Sequence, residues 1–358
     1  MKNKKIFWFL LVVVILVVLI LLSLSLKRYE VRKEINQVPL EKVKVQAGWI
    51  LNGEFANVCS SIVEGYYKDE GLDVELVPGG PSGASFIIST NALAQDKSID
   101  IAIDGDLVPL LRGVTQKRDE EKIRVKAFAA FWDENPYGFI VRADSGINNF
   151  IDLANKTKAN GKKYKIGITA DSVAQFAIAK YASTTVEKLN LTTVGFDASP
   201  FISGQVDALA AYWTTQAYEV EKAGIKYKFL NYGDIPGLSQ PSMIAIARDE
   251  TIKNKPDMLV KWLRATIKGT EFVKNNPEKA AENVLSEACG GKVLNKDQEL
   301  WLIKKSIPLF SEEKIGNLNI DQISKFGKSY YDLGQIPSNP DINSVVDLSI
   351  LNKIYSNK

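Results

Sequence analysis

The chain reads as an α/β protein, and three observations predict it. Short apolar or alternating runs recur between residues 43 and 247, helical patterns lie between most of them, and a largely helical pattern takes over after Ala247. The first unit is the clearest. Val43 to Trp49 alternates apolar and polar residues as a half-buried strand does, Phe55 to Lys68 carries apolar residues at helical spacing, and Gly71 ends that helix before a strand over Leu72 to Val77. In such a βαβ unit the loop from Trp49 to Phe55 lies at the carboxyl end of a strand, where open α/β sheets bind ligands. Trp49 and Asn52 are therefore ligand candidates, with a plug at the core edge as the competing role for Trp49.

Further strands are expected at Ile99–Ile103, Arg124–Trp132, Gly138–Val141, Lys165–Thr169, Thr192–Gly195, Ala208–Tyr212, Lys226–Leu230 and Ser242–Ala247. Helical patterns such as Ser172–Ala182 and Thr214–Ala223 separate them, so the expected sheet is largely parallel with helices on its faces. Later helices are expected at Lys255–Asn275, Pro277–Ala288, Lys296–Ser306 and Asp321–Leu333, with Pro256 and Pro277 near helix starts.

The 358 residues suffice for two lobes, with no short internal repeat to suggest a solenoid. Of 45 Lys/Arg and 42 Asp/Glu, residues 1–34 hold seven and two, which leaves 38 and 40 for the rest. The basic balance thus belongs to the N-terminal end, and neither a basic surface nor a nucleic-acid-binding motif remains. Ile6 to Leu26 is apolar except for Ser23 and Ser25, about 30 Å long as a helix, which matches a bilayer core. It reads as an uncleaved signal anchor, because Ser23 and Ser25 make a poor cleavage site and no cysteine follows to accept a lipid. Lysines and arginines flank it on both sides, so charge does not set its orientation. Cys59 and Cys289 have no metal-ligand spacing, and burial as small apolar residues is one reading of them. The absence of histidine removes the commonest general base, the commonest zinc ligand and any imidazole triad.

Several motifs occur in an order that resembles a known family: Trp49 to Asn57, Gly65 to Leu76, Pro78-Gly79-Gly80-Pro81-Ser82-Gly83, Asp100 to Asp106, Gly167 to Ser172, Gly204 to Trp213, Ala265 to Thr270, and Asn276 to Ala281. Together they span about two-thirds of the chain. They resemble the periplasmic substrate-binding proteins of ABC importers for thiamine-precursor pyrimidines, alkanesulfonates, taurine and nitrate, and the related fungal thiamine-pyrimidine synthase. The resemblance implies a two-lobed periplasmic-binding-protein-like (type II) fold with a ligand cleft between the lobes, behind an N-terminal transmembrane helix. The expected organisation is an anchor over 1–26, a polar tether over 27–42, a discontinuous first lobe over 43–132 and 236–358, and a second lobe over 133–235. The crossings are expected near Phe131–Pro136 and Asn231–Pro236, which are rich in turn or extended-chain residues. If both cysteines fall in the first lobe, as that layout implies, a disulfide between them is possible.

On that layout the expected ligand residues are Trp49, Asn52, Glu54, Phe55, Gly80, Pro81, Ser82, Asp104 and Asp106 from the first lobe. The second lobe would supply Tyr137, Thr169, Asp171, Ser172, Tyr212, Trp213 and Thr214, with Trp132 at a crossing. The turns at Gly79–Gly83 and Thr169–Ser172 each precede an expected helix, whose free N–H groups would hold an anion or be capped by Ser82, Asp171 or Ser172. Against an anion stands the acidic lining, Glu54, Asp104, Asp106, Asp133, Glu134 and Asp171, with no Lys or Arg. Carboxyl groups and aromatic rings suit an aminopyrimidine or a related heterocycle, or a cationic amine. The resembling synthase uses an active-site histidine and a cysteine-rich motif, both missing here, so catalysis is not expected. The expectation is an extracytoplasmic, membrane-anchored binding protein that passes a small organic ligand to permease subunits. It needs no cofactor, metal or nucleic acid. A sulfonate, taurine or nitrate is the alternative ligand.

Overall fold

The computed structural model describes residues 39–82, 85–170 and 172–356. The expected anchor over 6–26 lies outside them, and among the described residues no helix is long and apolar enough to cross a membrane.

The strands, in chain order, are β1 (Glu41–Ala47), β2 (Leu72–Val77), β3 (Gly80–Ser82), β4 (Ser85–Ile87), β5 (Ile101–Asp104), β6 (Val125–Trp132), β7 (Tyr137–Arg142), β8 (Lys165–Ile168), β9 (Asn190–Thr193), β10 (Ala208–Tyr212), β11 (Tyr227–Asn231) and β12 (Ser242–Arg248). They form a five-stranded sheet in the order β2-β1-β5-β12-β6, a second in the order β11-β7-β10-β8-β9, and a hairpin of β3 with β4. The chain leaves the first sheet after Trp132, enters the second at Tyr137, and returns between Asn231 and Ser242. Both sheets are mixed, which corrects the expected parallel arrangement. β12 runs antiparallel to β5 and β6, and β7 runs antiparallel to β10 and β11. A strand that arrives from the other sheet is not bound to the βαβ connection that enforces parallel pairing.

The core of the first sheet gathers Val43, Val45, Ala47, Phe128 and Phe131 around Trp262 of the long helix Pro256–Asn275. That helix packs on Ala56–Val63, where the Ser61 hydroxyl donates to the Ala265 carbonyl at 3.0 Å, and the Tyr67 and Thr266 hydroxyls bond at 2.7 Å. The helix expected over Phe55–Lys68 is broken into Ala56–Val63 and Tyr66–Asp69, because Gly65 takes a left-handed φ of 81°. Two further expectations change. Gly80–Ser82 form β3 of the β3–β4 hairpin and Gly83 lies outside the described residues, so Gly79–Ser82 lead into a strand and offer no helix N-terminus to a ligand. Trp132 is 1% exposed and packs against Phe310, within the core rather than the cleft. The continuous apolar run of β6 is buried on both faces, and Trp132 follows it inward.

Cys59 and Cys289 form a disulfide with a Cα–Cα separation of 5.8 Å, which ties the helix Ala56–Val63 to the segment after the helix Pro277–Val284. It closes a loop with a sequence separation of 230, so it strongly restricts the unfolded chain. Replacing both cysteines with serine should lower unfolding free energy by about 2–5 kcal/mol in urea titrations. Loss of less than about 1 kcal/mol would mean that packing alone holds these two segments.

Candidate functional site

The site lies where the loops after β1 and β5 meet the start of β7 and the end of β10. Tyr137 and Tyr212 are direct antiparallel partners at the ends of their strands, with ring centroids 5.6 Å apart. An added Cβ at Gly105 would come within 4.0 Å of the Tyr212 hydroxyl, so the loop after β5 touches the second sheet. Asn135 fixes this junction. Its side-chain amide donates to the Gly105 carbonyl at 2.7 Å, its oxygen accepts from the Tyr137 N–H at 2.9 Å, and it also reaches the Tyr212 hydroxyl.

Two carboxyl groups converge there. Burial pushes Glu54 up to about 7, reinforced by the charge of Glu299 and opposed by the Thr214 hydroxyl. Burial likewise pushes Asp106 up to about 6, opposed by the Val108 N–H, which donates to it at 2.7 Å, with Gln240 and Arg112 lowering it further and Asp104 raising it. Both carboxyl groups act on Tyr212, whose hydroxyl is held well above its ordinary range chiefly by burial. Tyr137 is pushed up to about 12, again chiefly by burial, and its hydroxyl lies 3.3 Å from that of Ser172. The site therefore presents phenols and two carboxyl groups held above the ordinary carboxyl range, of which Glu54 is near its midpoint at neutral pH, and among the described residues no Lys or Arg forms an ion pair with either.

The other expected site residues are distributed as follows. Asp104 is buried but already accepts from Ser89 at 3.0 Å and Thr90 at 2.8 Å, so it anchors its own loop. Asn52 accepts from the Glu54 N–H at 3.1 Å and caps the short turn Gly53–Phe55, while Phe55 is 1% exposed in the core. Thr214 is fully buried beside Glu54, and Trp213 packs half-buried against the core of the first sheet. Thr169 accepts from the Ser172 N–H at 3.1 Å, and Asp171 lies outside the described residues. Asp133 and Glu134 are exposed, which removes two of the expected acids from the buried lining. Gly80 and Pro81 belong to β3, where Gly80 packs against the Trp49 ring, and Ser82 ends that strand.

Trp49 forms a second contact across the two sheets. Its ring lies 5.7 Å from Phe86 of β4 and 5.2 Å from Phe196, which follows β9. A third bridge joins the helix Lys296–Ser306 to the helix Gln216–Lys222, where the Trp301 indole donates to Glu221 at 3.1 Å and packs on Tyr218. The cleft is thus closed. A cavity of about 50 Å³, large enough for ordered water, lies beside the junction and is lined by Asn135, Tyr137, Tyr232 and Gln240 among others. Asn135, Gln240, Phe86, Phe196 and Glu299 were not singled out in the sequence. Only Asn135, in the turn-rich Glu134-Asn135-Pro136, carried a local signal.

Glu54 and Asp106 bind a proton more tightly in the folded chain than in the unfolded one. Stability from this source is present below the ordinary carboxyl range, and it is lost as pH rises through about 7 for Glu54 and about 6 for Asp106. At about pH 8, Glu54→Gln should therefore melt at a higher temperature than the wild-type chain, with the difference vanishing near about pH 4. A calorimetric difference that does not vary with pH would show that Glu54 is not held protonated.

Comparison with known proteins places these features in a family. The model of the NMT1/THI5 like family matches residues 52–280. A formylaminopyrimidine-binding protein of Halalkalibacterium halodurans is 22% identical over 251 residues, which cover 69% of this chain and 71% of that protein. A 4-amino-5-hydroxymethyl-2-methylpyrimidine phosphate synthase of Legionella pneumophila is 21% identical over 310 residues, covering 83% and 91%. Among solved structures, the periplasmic nitrate-binding protein NrtA of Synechocystis PCC 6803 aligns with a TM-score of 0.66 at 13% identity, over 89% of each chain. That likeness establishes a periplasmic-binding-protein-like α/β fold, and with the family match spanning residues 52–280 the chain belongs to the NMT1/THI5 like family.

Proposed function

We propose that this protein is an extracytoplasmic solute-binding protein of an ABC importer, and that it binds a thiamine-precursor aminopyrimidine or a similar amino-heterocycle between its two sheets. One observation carries the reading: Glu54 and Asp106, both held above the ordinary carboxyl range, act on Tyr212 beside Tyr137, and among the described residues no cation forms an ion pair with them. A protonated carboxyl donates to a ring nitrogen while its other oxygen accepts from the adjacent exocyclic amine, which matches the edge of an aminopyrimidine. The tyrosine rings supply flat apolar surface and the hydroxyls that orient the ring. The formylaminopyrimidine-binding relative supports the same ligand class.

A sulfonate or nitrate is disfavoured, because an anion beside Glu54 and Asp106 meets acidic groups with which, among the described residues, no guanidinium or ammonium forms an ion pair, Arg112 acting on Asp106 only through its charge. Catalysis is not part of the proposal, although one relative is named a synthase, since the chain holds no histidine to move a proton. We place residues 6–26 in the membrane as a signal anchor, with the binding region outside the cytoplasm and delivering its ligand to permease subunits.

Titrating the full chain in detergent with aminopyrimidines, taurine, alkanesulfonates and nitrate should raise the melting temperature with the aminopyrimidine alone. Glu54→Gln and Asp106→Asn should each weaken that binding at least about tenfold, or about 1.4 kcal/mol. A response to sulfonate or nitrate only would overturn the ligand assignment.

A further inference from the structure

The helix Lys296–Ser306 approaches the Glu54 turn so closely that a Cβ on Gly53 would meet Ile303 and Leu302 at 3.0 Å. A larger residue at 53 would require these side chains to shift by a few tenths of an ångström. From that helix Glu299, 3% exposed, accepts the Gly53 N–H at 2.6 Å across a separation of 246 residues. The neighbouring Glu54 N–H is taken by Asn52. The backbone of the turn is therefore clamped at two successive amides, one by its own side chain and one by a distant carboxyl.

The groups around Glu54 come from three elements. Glu299 acts on it from the helix Lys296–Ser306, Thr214 and Tyr212 act on it from the second sheet, and Asp106 shares its influence on Tyr212. Among the described residues no cation pairs with either glutamate. Burial pushes Glu299 itself up to about 6, opposed by the Gly53 N–H, so around the Glu54 midpoint of about 7 it is mostly ionised and adds negative charge where Glu54 would otherwise ionise.

We propose that Glu299 is a positioning residue of the binding site, acting through Gly53 to hold Glu54 against the second sheet and through its own charge to keep Glu54 in the form that accepts a neutral amino-heterocycle. This deepens the ligand reading above and rests on it. Glu299 does not touch the ligand. Its bond sets where Glu54 stands, and its charge sets whether Glu54 arrives there with a proton.

Two variants separate the two roles. Glu299→Gln keeps an oxygen to accept the Gly53 N–H but removes the charge, while Glu299→Ala removes both. In the full chain with ¹³C-labelled glutamate, NMR titration without ligand should show the Glu54 midpoint falling by about one pH unit in Glu299→Gln. The pH at which aminopyrimidine affinity is half lost should fall with it, and affinity at low pH should stay within about twofold. Glu299→Ala should lose affinity at every pH tested. In a Glu54→Gln background, adding Glu299→Gln should leave the pH profile unchanged, which a purely structural role would not require. An unmoved Glu54 midpoint in Glu299→Gln would overturn the proposal. Failure of the wild-type chain to bind any aminopyrimidine would overturn the ligand reading instead, while the ligand-free titration still decides what Glu299 does.

Discussion

Burying two carboxyl groups between two sheets, with no ion pair to either among the described residues, is the constraint on which the rest of this structure depends. A lone buried carboxylate is costly, and a protein that keeps one near neutral pH must protonate it, pair it or surround it with donors. Here Asp106 takes the Val108 N–H, Asp104 takes two hydroxyls, and Glu54 is left with burial, a neighbouring glutamate and the Thr214 hydroxyl. The environments are graded. Asp104 is already bonded within its own lobe, whereas Glu54 and Asp106 are drawn toward the second sheet. This division separates an acid that shapes a loop from acids available to a ligand.

Closure of the two sheets gives that arrangement its consequence. Tyr212 brings the second sheet onto both acids, and three separate bridges hold the sheets together: the tyrosine junction with Asn135, the aromatic group of Trp49, Phe86 and Phe196, and the contact of Trp301 with Glu221. Parting the sheets rehydrates the carboxyl groups and removes the cause of their raised proton affinity. Hinge position, proton affinity and ligand access are therefore linked through the same few residues. The disulfide and the helix Lys296–Ser306 tie the Glu54 turn to the first-sheet side.

Much of the fold was legible in the sequence. Ala208–Tyr212 and Lys296–Ser306 have the expected bounds, because their apolar patterns end sharply at turn or capping residues. Strand direction was not legible, since alternation records which face is buried and not which neighbour a strand pairs with. The Gly79–Gly83 turn was misread because a Gly-Pro sequence serves a hairpin as well as a helix start. Trp132 lies in the core because the apolar run before it marks a strand buried on both faces, a pattern that outweighs its place at a crossing. Tyr137 and Tyr212 stand at the ends of their strands, whereas Glu54 and Asp106 lie in the loops that follow β1 and β5. Glu299 was beyond local reading, because its partner lies 246 residues away and an acid in the first turns of a helix is unremarkable.

The measurement that tests the central claim most directly is a crystal structure of the protein with a thiamine-precursor aminopyrimidine. The account predicts the ring beside Tyr137 and Tyr212, with its exocyclic amine and adjacent ring nitrogen within hydrogen-bond distance of Glu54 or Asp106. A ligand seated elsewhere, or seated there with neither carboxyl in contact, would contradict it.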